Sequence, residues 1–394
     1  MNGVALRLLA AWATCIVSTV AMAGDISTRS ESIPGLTSQV SIVTHTIRFT
    51  GQVESGDADR MQRILEDLRR TSTRFEGRPL AVVELSSVGG DLMEGLRLGT
   101  LFREYEIATI VRKSDICLSA CALAFLGGTS NRIPPRPLVS RTIEIGGQVA
   151  FHSYSTDVGT IAKETAGNPV AGVVRGFSLG RAGASALVQY GADMGIDPGF
   201  FARIMNLVDG EWRYVDTDEA FLNVGACPSG ADPPLGSLAR QAVNICNHAT
   251  GWFSVATPAQ AWPVNARKLR RDLLDHVYGH VAGFKVRGPL VAQLRAVVGS
   301  RDDQVLAGIY DDLRKAGIPL PDIFSRSFVV SGLRRGALDL ECHVTLETDE
   351  PDRFELVLAG AEGLLRAFYP PPRACPRLFR YDRDEVINPR PSGG

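Results

Sequence analysis

The chain has 394 residues, of which 45% are hydrophobic and 22% charged, with a net charge of −1. Its basic residues are scattered, so it lacks the stripe of positive charge that neutralising a phosphate backbone demands, and a nucleic-acid partner is excluded. The length suffices for two domains of ordinary size, each with its own core.

In chain order, Met1 to Arg7 is short with one basic residue, and Leu8 to Val20 is apolar. Ala21-Met22-Ala23 follows as a small-x-small cleavage site, so residues 1–23 are expected to be a signal peptide, with the mature chain starting at Gly24. The apolar run falls short of the roughly 20 residues a bilayer span needs, so no membrane span is expected after cleavage. Trp12 spoils a lipidation motif ahead of Cys15. The remaining cysteines, Cys117, Cys121, Cys227, Cys246, Cys342 and Cys375, form an even set suited to an oxidising compartment, periplasmic or secreted. Pairing within folding units gives Cys117 with Cys121, Cys227 with Cys246 and Cys342 with Cys375.

Residues 24–40 are polar and read as a fraying N-terminal arm. From Val43 the alternation of Val43, His45, Ile47 and Phe49 with Thr44, Thr46, Arg48 and Thr50 is the period-two signature of a strand. Met61, Ile64, Leu65 and Leu68 then recur at helical spacing. The same order continues with a strand over Leu80 to Leu85, a helix through Leu92, Leu96 and Phe102, and a strand over Ile107 to Val111. Strands separated by helices imply parallel crossovers. A further helix is expected near Ser119, a strand at Val149 to Phe151, and a helix capped by Asp197 with Pro198 at its first position, turning Phe201, Ile204 and Met205 inward. The Pro- and Gly-rich stretch Ala226 to Leu238 marks a boundary between residues 41–230 and 239–394. Beyond it, helical patterns over Leu269 to Val277, Leu290 to Val298 and Val305 to Leu313 precede strands near Phe328 to Val330, Leu338 to Leu346 and Phe354 to Leu358. That order indicates a small α+β domain, without a motif of chemistry.

Three features could carry chemistry. Leu85-Ser86-Ser87-Val88-Gly89-Gly90-Asp91 ends a strand and opens a helix, so Gly89 and Gly90 free backbone N–H groups to face an oxyanion. Cys117-Leu118-Ser119-Ala120-Cys121 places a serine on a small-residue turn at a helix start, where Ser119 is either a nucleophile or a simple cap. His152 closes the strand Val149 to Phe151. Each feature alone has a structural explanation; together they fall at the strand ends of one sheet, the edge where α/β proteins assemble sites.

Together these segments resemble the Clp protease proteolytic subunit and its exported relatives in the crotonase-like superfamily, over roughly residues 41 to 226. The family's Ser-Pro-Gly-Gly turn corresponds to Ser87-Val88-Gly89-Gly90, its serine turn to Leu118-Ser119-Ala120, and its histidine strand to Ala150-Phe151-His152. The resemblance implies an α/β fold, a Clp/crotonase-type parallel sheet with crossover helices. It also implies a serine hydrolase acting on a peptide or protein substrate, with Ser119 as nucleophile, His152 as base, and the N–H groups of Gly89, Gly90 and Ala120 as the oxyanion hole. The sequence departs from the pattern in Val88, in the cysteines flanking Ser119, and in a Ser-to-His interval of 33 residues, with Ile133 to Ile145 as the expected insertion. That insertion bears on the family's stacked-ring assembly and leaves a homo-oligomer open.

The orienting acid stays open between Asp209, then Glu211, and no acid at all. Asp216-Thr217-Asp218-Glu219 reads as a capping box, which gives Asp216 a structural role. Weaker alternatives are a Ser-Lys site through Lys113 or Lys163, and a metal pair of His276 and His280 that lacks the accompanying Glu. No cofactor or metal is implied. The competing functions are a non-catalytic binding or assembly module on the same fold and a crotonase-type acyl-CoA enzyme.

Overall fold

The computed structural model describes residues 24–34, 41–73, 78–133, 136–153, 158–230, 233–263, 325–347, 350–360, 366–368 and 375–390. The signal-peptide reading, the three helical patterns between Leu269 and Leu313, and His276 and His280 lie outside them.

The first unit runs β1 (Asp25–Pro34), β2 (Ser41–Thr50), α1 (Asp57–Thr71), β3 (Val82–Ser86), α2 (Leu92–Glu104) and β4 (Ala108–Val111). It continues with β5 (Ile116–Leu118), α3 (Ala120–Phe125), the hairpin β6 (Thr129–Ile133) and β7 (Arg136–Val139), β8 (Arg141–Glu144) and β9 (Gln148–Phe151). Then come α4 (Val158–Glu164), α5 (Pro169–Met194), α6 (Pro198–Met205), β10 (Arg213–Tyr214), α7 (Asp218–Val224) and β11 (Cys227–Ser229). The main sheet has the order β1-β2-β3-β4-β8-β11 and a smaller one β10-β9-β5. The pairs from β2 to β11 are parallel, whereas β1 is antiparallel to β2 and β10 to β9, so both sheets are mixed.

Two expectations change here. Residues 25–34 do not fray: they pair along the whole of β2, from Asp25 opposite Thr50 to Pro34 opposite Ser41. A polar, Ser- and Thr-rich strand has no buried face to announce it, but an edge strand needs only its backbone partner. The stretch from Ile133 to Ile145 is not wholly an insertion, because Arg141–Glu144 enters the main sheet between β4 and β11. Its short alternation hides beside a buried cation. The Arg141 guanidinium donates to the carbonyls of Met194, at the end of α5, and Val224, at the end of α7. It thereby satisfies helix-end acceptors that would otherwise be buried unpaired. Burial pulls the Arg141 pKa down to about 10.

Across β2 to β8 one sheet face is ionic rather than apolar. Arg48 makes a bidentate pair with Asp115 at 2.7 and 2.8 Å, and Arg112 bridges Glu84 and Glu144 at 2.7 Å each. The Lys113 N–H and then Arg112 hold Glu144 below the usual carboxylate range. The opposite face, with Ile47, Phe49, Val83 and Leu85, packs on Leu98, Phe102 and Phe125 in the core. Glu94 of α2 reaches into this core and accepts the N–H groups of Gly56 and Ala58 at 2.9 and 2.8 Å, capping α1 from a neighbouring helix.

The second unit is antiparallel: α8 (Leu238–Ala249) covers a five-stranded sheet, β12 (Ala261–Pro263), β13 (Ser325–Arg335), β14 (Leu338–Glu347), β15 (Phe354–Gly360) and β16 (Arg366–Phe368), in that order. It has its own core around Ile245, Val330, Val344 and Leu356. The final segment returns to the first unit. Leu378, Tyr381 and Ile387 join its core, and the Asn388 side chain bonds Gly146 N–H and Gly147 carbonyl at 2.8 and 2.6 Å.

The structure contains the disulfides Cys117–Cys121 and Cys246–Cys342. The expected pairs Cys227–Cys246 and Cys342–Cys375 are therefore corrected. Helix α8 lies over β14, so Cys246 meets Cys342 across 96 residues, a proximity that sequence-local pairing cannot register. Cys227 and Cys375 come together instead. Their mutual hydrogen bond, then burial, push the Cys375 thiol well above its ordinary range.

Candidate active site

The site is built where the two sheets of the first unit meet. Strand β3 continues at Ser87, whose N–H donates to Ile116 carbonyl at 2.7 Å and whose carbonyl accepts Leu118 N–H at 3.0 Å. This bridge places the Gly89-Gly90 turn beside the β5 to α3 turn that carries Ser119. Gly89 is required by space: a Cβ there would lie 2.6 Å from Leu118 O, 2.7 Å from Ser119 Cβ and 3.1 Å from Ala120 N.

Ser119 itself has φ 55° and ψ −119°, a conformation that costs a non-glycine residue about 1–3 kcal/mol. It is held there from several sides. Its N–H donates to Ala150 carbonyl at 3.0 Å, its carbonyl accepts Leu123 N–H at 3.1 Å, and the Cys117–Cys121 disulfide spans it. A serine on a sharp strand-to-helix turn presents its hydroxyl away from its own backbone. Here the hydroxyl meets His152, with Ser119 Oγ and His152 Nε2 2.7 Å apart.

His152 follows β9, which runs parallel to β5, so the strand pairing that aligns Leu118 with Ala150 also sets the serine and histidine side by side. The imidazole packs at 4.5 Å, ring centre to ring centre, against Trp212. In front of the pair is a cavity of about 450 Å³, lined mainly by Leu92, Leu123, Leu187, Phe201, Ile204 and Trp212. The Asp197 cap accepts Phe200 N–H at 3.2 Å and starts α6, which turns Phe201 and Ile204 into that wall.

Among the other expected residues, Gly89 N–H already donates to Ser87 Oγ at 3.0 Å. Among the described residues, the N–H groups of Gly90 and Ala120 have no hydrogen-bond acceptor. Asp209 and Glu211 are exposed on the loop after α6, and among the described residues no carboxylate pairs with His152. Asp216 does not cap α7: Thr217 does, accepting Ala220 N–H at 3.4 Å, while Asp216 pairs with Arg390 at 2.9 Å. The observed cap is one position later than the sequence expects, because Asp and Thr are both good caps. The sequence reading does not single out Trp212; the signal available is an aromatic residue one position before a short strand. Among the described residues no group of three or more His, Cys, Asp or Glu side chains is gathered as metal ligands. No helix among them is long and apolar enough to cross a membrane.

The fold is thus mixed α/β with a separate antiparallel domain, and the site is a serine–histidine pair at a sheet junction. No protein-family model and no curated protein matches this chain.

Proposed function

We propose that the protein is an exported serine hydrolase of the Clp/crotonase type, a peptidase whose cavity accepts an apolar side chain. The observation that carries this reading is the 2.7 Å contact between Ser119 Oγ and His152 Nε2, with Ser119 held in a strained turn. Ser119 Oγ attacks the scissile carbonyl while its proton passes to Nε2. The same nitrogen returns the proton to the departing amine. Water, deprotonated by His152, then releases the acyl group and restores the serine. The Gly90 and Ala120 N–H groups supply donors for the oxyanion, and each such donor is worth about 2.7–4 kcal/mol in known sites. The disulfides support export to an oxidising compartment.

The test is fluorophosphonate labelling of the purified mature chain. Ser119→Ala and His152→Ala are each expected to abolish it, and the double variant to be no worse, because the two act as a unit. Asp209→Asn is expected to label as wild type, since Asp209 is exposed and makes no bond to His152. Labelling that persists in Ser119→Ala defeats the assignment. That no carboxylate among the described residues bonds His152 favours one second reading, a non-catalytic binding module on the same fold. A folded wild type with both disulfides intact that does not label supports that alternative.

A further inference from the structure

A histidine base must be held in one orientation, and the usual device is a carboxylate on Nδ1. Among the described residues His152 has none, and its hydrogen bond there is the one to Ser119. What covers it is Trp212, with ring centres 4.5 Å apart and planes inclined by 53°.

That contact is set by the backbone. Strand β10 runs antiparallel to β9 with Tyr214 opposite Ala150 and Arg213 opposite Phe151, and Val215 N–H donates to Val149 carbonyl at 2.8 Å. One residue further along the same register, Trp212 falls opposite His152. Directly opposed residues of an antiparallel pair have their side chains in reach of one another. The indole is not part of the core. It stays 37% exposed at the cavity mouth, outside the buried cluster that packs the first unit. Its ring contact is with the imidazole, so a role toward His152 stands beside whatever its partly buried surface adds to packing.

Resting on the hydrolase reading, we propose that Trp212 is the positioning residue of a serine–histidine dyad, steadying His152 through the face of its ring where other sites use an acid. The indole restricts imidazole rotation away from Ser119. When His152 takes the serine proton, the resulting imidazolium is 4.5 Å from the indole ring centre, within the range of a cation–π attraction, for which Trp is the best side chain.

The experiment compares wild type with Trp212→Phe, Trp212→Leu and Trp212→Met in the full mature chain, with circular dichroism as the folding check. The readouts are the rate of fluorophosphonate labelling at Ser119 and the kcat and KM for a small apolar ester. The aliphatic variants are expected to label roughly 2- to 30-fold more slowly, the range that loss of a cation–π contact implies. Trp212→Phe should restore most of the rate, and the loss should fall on kcat with KM little changed. Aliphatic variants that label as fast as wild type overturn the role of Trp212 while leaving the hydrolase intact. A Phe variant as slow as Leu, or a loss confined to KM, also overturns it, pointing to a packing or substrate-contact role. A wild type that does not label overturns the hydrolase reading and this one with it.

Discussion

Replacing Gly89 by Ala tests the junction on which the site depends. Gly89 has φ +99°, and the new methyl would meet Leu118 O at 2.6 Å and Ser119 Cβ at 2.7 Å. Two costs add. Forcing a side chain into a left-handed conformation costs about 1–2 kcal/mol, and overpacking against backbone atoms about 1–3 kcal/mol. Gly56 separates them, because it has φ +94° but nothing within 4 Å of its missing Cβ. Gly56→Ala should therefore pay the conformational cost alone. Urea unfolding of both variants, with m checked for constancy, is expected to place Gly89→Ala about 1–3 kcal/mol below Gly56→Ala. Relief of the clash also moves Ser119 away from His152. Misplacement of reacting groups by 1 Å costs about 100-fold, so fluorophosphonate labelling should fall sharply in Gly89→Ala and stay at the wild-type rate in Gly56→Ala. Equal stability of the two variants, with equal labelling, would refute the claim that the Gly-Gly turn is packed on the nucleophile.

Three further outcomes follow from the same structure. Ser119→Gly is expected to be about 1 kcal/mol more stable than Ser119→Ala, with both unlabelled. Relief of a strained turn, about 1–3 kcal/mol, outweighs the added unfolded-chain entropy of about 0.4–1 kcal/mol; the reverse order in urea would show that the turn is not strained. Burial raises Asp218 from its ordinary value to about 6, even with the His248 ring nitrogen 3.1 Å away. The folded state therefore keeps a proton that the unfolded chain releases, so this stabilisation is complete below about pH 4 and is lost as pH rises through about 6. The change corresponds to about 3 kcal/mol, and thermal unfolding from pH 3.5 to 7.5 should show a fall that Asp218→Asn flattens; an unaltered profile in Asp218→Asn would rule it out. Non-reducing peptide mapping should recover Cys117–Cys121 and Cys246–Cys342 peptides, and removing the second bridge should cost about 4–5 kcal/mol by loop entropy. Recovery of a Cys227–Cys246 peptide from native protein would contradict the packing of α8 on β14.

Much of the first unit was legible from the order of residues alone. The alternation through Ile47 and Phe49, the helical spacing of Met61 and Leu65, and the Asp197-Pro198 start all report local periodicity or capping, which a chain carries in its sequence. Ser119 and His152 were also within reach, because strand-end residues of one sheet converge whatever the details of packing. Partners set by register and by helix placement were not. The strand at residues 25–34 has no hydrophobic face and exists because β2 offers an unpaired edge. Arg141 is buried because two helix ends converge on it, and Cys246 finds Cys342 only because α8 covers the second sheet. The same reason hides the neighbour of His152: the order of residues offers Asp209 as an acid, whereas the antiparallel register of β10 on β9 brings Trp212. Sequence periodicity determines which face of an element is buried; only the pairing of elements decides which side chain stands opposite another.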